Sequence, residues 1–347
     1  MADCTVRSAV CFSLLMSIGA FESIDASPAR LPSEVRQPLT NPPDFEVLQH
    51  AAEQGNIDAQ KQVADRYSRG DGVPQDLATA ALWYELAAEQ GDAPAQSSLG
   101  KLYVKGLGVE KSNELAAKWY QLAAKQNDAR AQYNLGLMRE EGRGLPRSDS
   151  EALRWYRLAA DQGYPPAQYQ LGTKHASGRG VQQSDIDAFR WYRLVAEQGV
   201  ALGQQALGML YASGLGIEQN DTASAYWYRL AAEQGLAEAQ HNLGLMYING
   251  RGVRTNDPGA ARWLFQLAAD QGHAGAQFSL GMLHATGQGA SPDHVAALTW
   301  LSLAAVQELP VTDRALYEKE REALANKMTI TQITEANRRA LEWKPVQ

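Results

Sequence analysis

Six histidines, two cysteines and a series of Gly-x-Gly pairs are the residues whose types could do chemistry in this 347-residue chain. Imidazoles ligate metals or move protons, thiolates act as nucleophiles, and glycine-rich turns cradle phosphates. None of them stands at a spacing that such chemistry needs. His50, His175, His241, His273, His284 and His294 fall in no paired-ligand, H-E-x-x-H or nucleophile-elbow string. His175 and His284 share a column that elsewhere holds a core tyrosine, so a structural role is expected of them. Cys4 and Cys11 both precede the body of the chain, which therefore has neither a disulfide framework nor a Cys-built metal site. The Gly-x-Gly pairs follow helical runs rather than strands and recur evenly, which removes the phosphate-loop reading. The triplet Asn220-Asp221-Thr222 fits a glycosylation acceptor, but one such match is expected by chance. No catalytic, metal or cofactor site is expected.

The elements that hold these residues are copies of one unit. AAEQG begins at Ala51 and returns, with small changes, at Ala87, Ala123, Ala159, Val195, Ala231 and Ala268, a step of 36 residues five times and then 37. A Leu-Gly column starts at Leu99, Leu135, Leu171, Leu207, Leu243 and Leu280. The Gly-x-Gly column starts at Gly70, Gly106, Gly142, Gly178, Gly214, Gly250 and Gly287. The extra residue falls in a loop after Gly250, where insertion costs least. A fixed period of this size marks a stack of supersecondary units rather than a set of globular domains.

Each glycine column has its own task. The glycine closing each EQG string follows an Ala-rich helical run, where a left-handed residue ends the helix; its one substitute is Asn127, the next-best residue for that conformation. The glycine after the repeated leucine lies inside a helix and costs about 1 kcal/mol against Ala. Its recurrence implies a neighbouring helix packed too closely for a methyl group. Apolar spacing within residues 92–127 places Ala95, Leu99 and Tyr103 in the core face of a first helix and Ala116, Trp119, Tyr120 and Ala123 in that of a second. A helix hairpin results. Seven copies are delimited at 56–91, 92–127, 128–163, 164–199, 200–235, 236–272 and 273–308, within a repeat region of residues 44–308 that begins with a half-unit.

The two ends differ from the copies. Residues 309–347 leave the register and read as two capping helices, the second opened by the capping box Thr329-Ile330-Thr331-Gln332. Residues 1–26 carry Arg7, a short apolar stretch and Ile24-Asp25-Ala26 before Ser27, the pattern of a secretory signal, with a frayed apolar tail as the alternative. Cleavage would remove both cysteines and leave a thiol-free periplasmic or secreted protein; without it, a cytoplasmic location follows. Five prolines make residues 27–43 an extended linker.

Binding surfaces are sought on the helix faces. A 45% apolar share excludes disorder, and 32 Lys plus Arg against 39 Asp plus Glu, a net charge of −7, argues against nucleic acid as the partner. On the second helices Arg154, Arg157, Arg190, Arg193 and Arg229 form a basic row, read as a solvated face because Asp161, Glu197 and Glu233 follow the last arginine of each copy by four residues. On the first helices, with the repeated leucine as position seven, packing uses positions three, seven, eight and eleven. Positions five and nine then fall on the opposite side, given 100° per residue. Position five reads Ser97, Tyr133, Tyr169, Gln205, His241 and Phe278; position nine reads Lys101, Leu137, Thr173, Met209, Leu245 and Met282. Aromatic residues and methionine suit protein-binding surfaces, so Tyr133, Tyr169, His241, Phe278, Met209, Met282, Leu137 and Leu245 are the candidate partner-binding residues. The alternative is that neighbouring copies bury them against each other.

The string A-x-x-W-Y-x-x-A-A-x-Q-G-x-x-x-A-Q-x-x-L-G-x-x-Y-x-x-G-x-G-V, readable over residues 80–109 and 224–253, resembles the Sel1-like repeat. The ending TQITEANRRALEWKP resembles the capping helix of such arrays. The resemblance implies an all-α fold, a right-handed α/α superhelical solenoid of helix hairpins related to tetratricopeptide repeats, with seven repeats plus C-terminal capping helices. It also implies a non-enzymatic scaffold holding a protein or peptide in the concave groove, often exported in bacteria. A monomer without a stable transmembrane segment is expected. Two alternatives remain: a β-lactam-binding or hydrolysing enzyme, whose relatives pair cysteines inside repeats that this chain lacks, and an RNA reader of similar period, which the acidic balance opposes.

Overall fold

A computed structural model describes residues 45–307 and 310–346. The expected signal segment, both cysteines and the proline-rich linker lie outside the described residues. Within them the chain forms seventeen helices and no strand. The half-unit is α1 (Phe45–Glu53). First and second helices then alternate: α2 (Ile57–Arg69) and α3 (Leu77–Glu89), α4 (Ala93–Lys105) and α5 (Asn113–Lys125), α6 (Ala129–Glu141) and α7 (Asp149–Asp161), α8 (Pro165–Ser177) and α9 (Asp185–Glu197). The series continues with α10 (Ala201–Ser213) and α11 (Asp221–Glu233), α12 (Ala237–Asn249) and α13 (Pro258–Asp270), α14 (Ala274–Thr286) and α15 (His294–Ala305). It closes with α16 (Val311–Ala325) and α17 (Ile330–Glu342). Among the described residues no helix is long and apolar enough to cross a membrane.

The described residues divide into two compact units, 45–184 and 185–346. In each, successive helices pack on one another, the packing order of an α-solenoid, except that α17 packs on α15 rather than on α16. Local signals set the helix ends. Asp92 and Asp128 accept a hydrogen bond from the third helical N–H (both 2.7 Å), and Ser112, Asn220, Asp257 and Asp293 do the same for second helices. Asn220 is thus a helix cap, which accounts for the sequon-like triplet. Asn127 is the one non-glycine with a left-handed backbone among the described residues, at φ 68°.

In five hairpins a first-helix glycine is set against a buried side chain of the second helix, a ring in four of them and Leu301 in the fifth. A Cβ on Gly100 would lie 2.8 Å from the Tyr120 ring, one on Gly208 2.8 Å from Tyr228, one on Gly244 2.5 Å from Phe265, and one on Gly281 2.9 Å from Leu301. Gly136 faces Tyr156 in the same way. These rings are buried, whereas the neighbouring tryptophans Trp83, Trp119, Trp155, Trp191, Trp227 and Trp300 are only half-buried, and Trp119 and Trp155 pack on cores that reach into the preceding hairpin. Tyr103, expected in the core, is half-buried as well.

A second device joins successive copies. The buried glutamine that follows alanine in six of the first helices donates to a carbonyl near the end of the preceding helix, as Gln96 does to Ala88 (3.0 Å) and Gln168 to Ala160 (3.1 Å). Its own carbonyl accepts from the glutamine of the EQG string thirty residues on: Gln126 to Gln96 (3.0 Å), Gln162 to Gln132 (2.7 Å), Gln234 to Gln204 (2.8 Å). A buried amide satisfied at both ends ties three helices together.

Alanine is a better helix former than glycine by about 1 kcal/mol, so an exposed helical glycine gains from replacement. At Gly136 the added methyl meets the Tyr156 ring, and Gly136→Ala is expected to lower stability by about 1–3 kcal/mol. The midpoint of urea unfolding measures this; an unchanged or higher midpoint contradicts the close approach.

Candidate functional site

The first-helix row is where sequence reasoning placed binding. Position five proves to be a seam. Ser97, Tyr133, Tyr169 and Gln205 are buried, Tyr169 completely, and Met209 at position nine is buried too. Tyr133 lies against Tyr156 (5.8 Å between ring centroids) and against Tyr164, the residue that starts the next first helix (5.6 Å). His241 meets His273, the corresponding residue of its next copy, at 4.9 Å, and Phe278 stacks on Tyr317 of α16 at 4.2 Å and 10°. The expected exposure is therefore corrected for Tyr133, Tyr169 and Met209. For Tyr133 the physical reason is that a helical wheel knows only its own hairpin, while Tyr164 of the following copy covers the side opposite.

Position nine divides differently. Lys101 is exposed, Leu137, Leu245 and Met282 are half-buried, and Thr173 is buried with its hydroxyl donating to Tyr169 O (3.1 Å). Leu245 and Met282 also border core clusters of their copies.

Two polar clusters lie in the seams, and neither was legible beforehand. In the first unit the Tyr156 hydroxyl donates to Glu140 Oε2 (2.8 Å), whose other oxygen pairs with the buried Lys174 ammonium of the next copy. Burial, reinforced by the Glu140 carboxylate, pushes the Tyr156 phenol well above its ordinary range. In the second unit His273 Nδ1 accepts from Ala276 N (3.0 Å), which fixes the tautomer: Nε2 carries the proton and donates to Glu238 Oε2 (2.8 Å). His241 Nε2 lies 3.2 Å from Ser279 Oγ. Burial opposes ionisation of Glu238, but the His273 hydrogen bond and the adjacent imidazoles outweigh it and hold the carboxyl below its usual range. Burial, helped by neighbouring His273, pushes His241 down to about 3. A Ser-His contact suggests nucleophilic chemistry, yet Glu238 orients His273 rather than His241. The cluster's demonstrated work is to join α12 to α14.

The basic row of the second helices is solvated, as expected. Arg157 pairs with Asp161 at 3.3 Å and Arg193 with Glu197 at 3.6 Å, all more than half exposed. His175 is half-buried and His284 buried in the tyrosine column.

The family model described as Sel1 repeat matches residues 57–92, 93–128, 129–164, 165–200, 201–236, 237–273 and 274–307. Among solved structures, a Sel1 repeat protein from Oxalobacter formigenes is 33% identical, covering 79% of this chain and 79% of its own, with a TM-score of 0.62. A protective antigen present in uropathogenic Escherichia coli strains, displaying an SLR fold, is 30% identical, covering 86% of this chain and 71% of its own, with a TM-score of 0.54. No curated protein matches the chain.

His241 generates a pH dependence whose sign follows from its depressed value. The unfolded imidazole takes up its proton near 6.5 and the folded one only near about 3, so its contribution to stability is complete above pH 6.5 and is lost as pH falls toward 3. His241→Gln, the residue at this position in the fifth copy, removes that contribution. Urea midpoints at about pH 7 and about pH 4 should show a smaller acid loss in the variant than in the parent; equal losses contradict it.

Proposed function

Because the chain belongs to the Sel1 repeat family, whose members are generally protein-interaction scaffolds, we propose that it is a non-enzymatic scaffold, exported and monomeric, that holds a partner protein along the first-helix row within each of its units. The observation that carries this reading is position nine. Copy two places the exposed Lys101 there, so the position tolerates charge without loss of packing. Copies three and six nevertheless place half-exposed leucines, Leu137 and Leu245, where solvation alone would favour a polar residue. His241, Phe278 and Met282 border the same row and would shape it from beneath. Export is supported by the signal-like pattern of residues 1–26.

Leu137→Lys combined with Leu245→Lys imitates copy two; because Leu245 also packs on the core cluster of its copy, the variant should melt somewhat lower and remain folded. Capture of the native partner after cross-linking is expected to fall at least tenfold; undiminished capture by the folded variant overturns the row as the binding face. The same preparation should show no multiple turnover of a chromogenic β-lactam, and sequencing of the mature amino terminus should begin near Ser27.

A further inference from the structure

The second helices carry a column that faces outward, one residue before the tryptophan position. It reads Leu82, Lys118, Arg154, Arg190, Tyr226, Trp263 and Thr299. Most of the column suits water. Leu82, Tyr226 and Trp263 do not, and the last two, 51% and 62% exposed, stand in neighbouring copies of one unit. Trp263 is there because the sixth copy reads Arg262-Trp263-Leu264-Phe265, so its indole stands one residue early and Leu264 fills the usual tryptophan place. Leu230 and Leu267, one turn further along the same faces, are half-buried. Arg229 lies exposed on that side of α11 and makes no ion pair among the described residues, although Glu233 stands four residues on.

The seventh copy shows what this face accepts. There the equivalent residues, Thr299 and Leu303, are 8% and 7% exposed, and an amphipathic helix of the chain itself lies across α15. Thr299 Oγ1, which donates to Val295 O (2.8 Å), lies 3.3 Å from Ala336 O of α17, Ala336 is fully buried, and Ile333 packs in the same cluster. The segment that follows continues toward the sixth copy: Trp343 meets Trp300 edge-on at 6.3 Å, and Val346 N donates to Asp270 O (2.8 Å) at the end of α13, the helix that bears Trp263.

We propose that the outward face of α11 and α13, centred on Tyr226 and Trp263, is a docking surface for an amphipathic helix of a partner protein, built like α17 with an alanine-containing apolar stripe and a flanking carboxylate for Arg229. The segment that follows α17 already reaches the end of α13, the helix that bears Trp263, through the Val346–Asp270 backbone bond. Two exposed aromatic side chains beside an unpaired guanidinium are the composition of a binding hot spot rather than of a solvated helix face. An i, i+4 apolar stripe is what a helix offers such a surface. This surface is separate from the first-helix row, so each reading stands or falls alone.

The test titrates a fluorescein-labelled synthetic peptide of residues 329–346 onto the full chain and reads anisotropy. Saturable binding with a Kd below about 1 mM is expected, weakened at least tenfold by Tyr226→Ser with Trp263→Ser, both exposed positions whose change leaves the melting curve in place. Absence of saturable binding overturns the proposal. So does binding equal in parent and variant, which would mean exchange with the resident α17 on α15. Concentration-dependent self-association of the chain, abolished in the double variant, would assign the face to a second copy and would also overturn it.

Discussion

Two helices of a hairpin can approach only as closely as their side chains permit, and here the limit is set by a glycine in the first helix lying flat against a ring in the second. Gly100 against Tyr120, Gly208 against Tyr228 and Gly244 against Phe265 leave no room for a methyl group. The distance so fixed decides where everything else falls. It brings the buried glutamine of each first helix within reach of the preceding second helix and of the glutamine that ends its own. It also leaves the tryptophans half-covered, available to the adjoining hairpin.

Each copy is therefore incomplete alone and is finished by the next. Tyr133 and His241 close against the residue that opens the following first helix, and polar groups join the same seams: Glu140 with Lys174, His273 with Glu238. The last copy has no successor, and α16 and α17 take that part, with Tyr317 stacking on Phe278 and Ala336 seated on Thr299. Capping removes an apolar end that would otherwise meet water.

Periodicity made most of the architecture legible. The hairpins, the left-handed Asn127, the in-helix glycines and the capping box at Thr329 all follow from residue types recurring at fixed offsets. What escaped was whatever depends on the next copy. A wheel drawn for one helix puts Tyr133 on a free face, because it holds no information about a helix arriving thirty-six residues later. The two glutamines were visible in the repeated string, yet their partnership spans three helices and no local rule predicts it. Charge on the second helices was easier to read, since Arg157 and Asp161 meet within a single helix.

Stability that resides in contacts between neighbours has a direct consequence for truncation. Removing copies one, two and three in turn from the amino-terminal side, and following circular dichroism through urea unfolding, tests whether each copy leans only on those beside it. Helicity per remaining residue is expected to persist while the unfolding free energy falls by comparable steps. Collapse of helicity throughout the remaining copies on loss of the first copy alone would contradict the account.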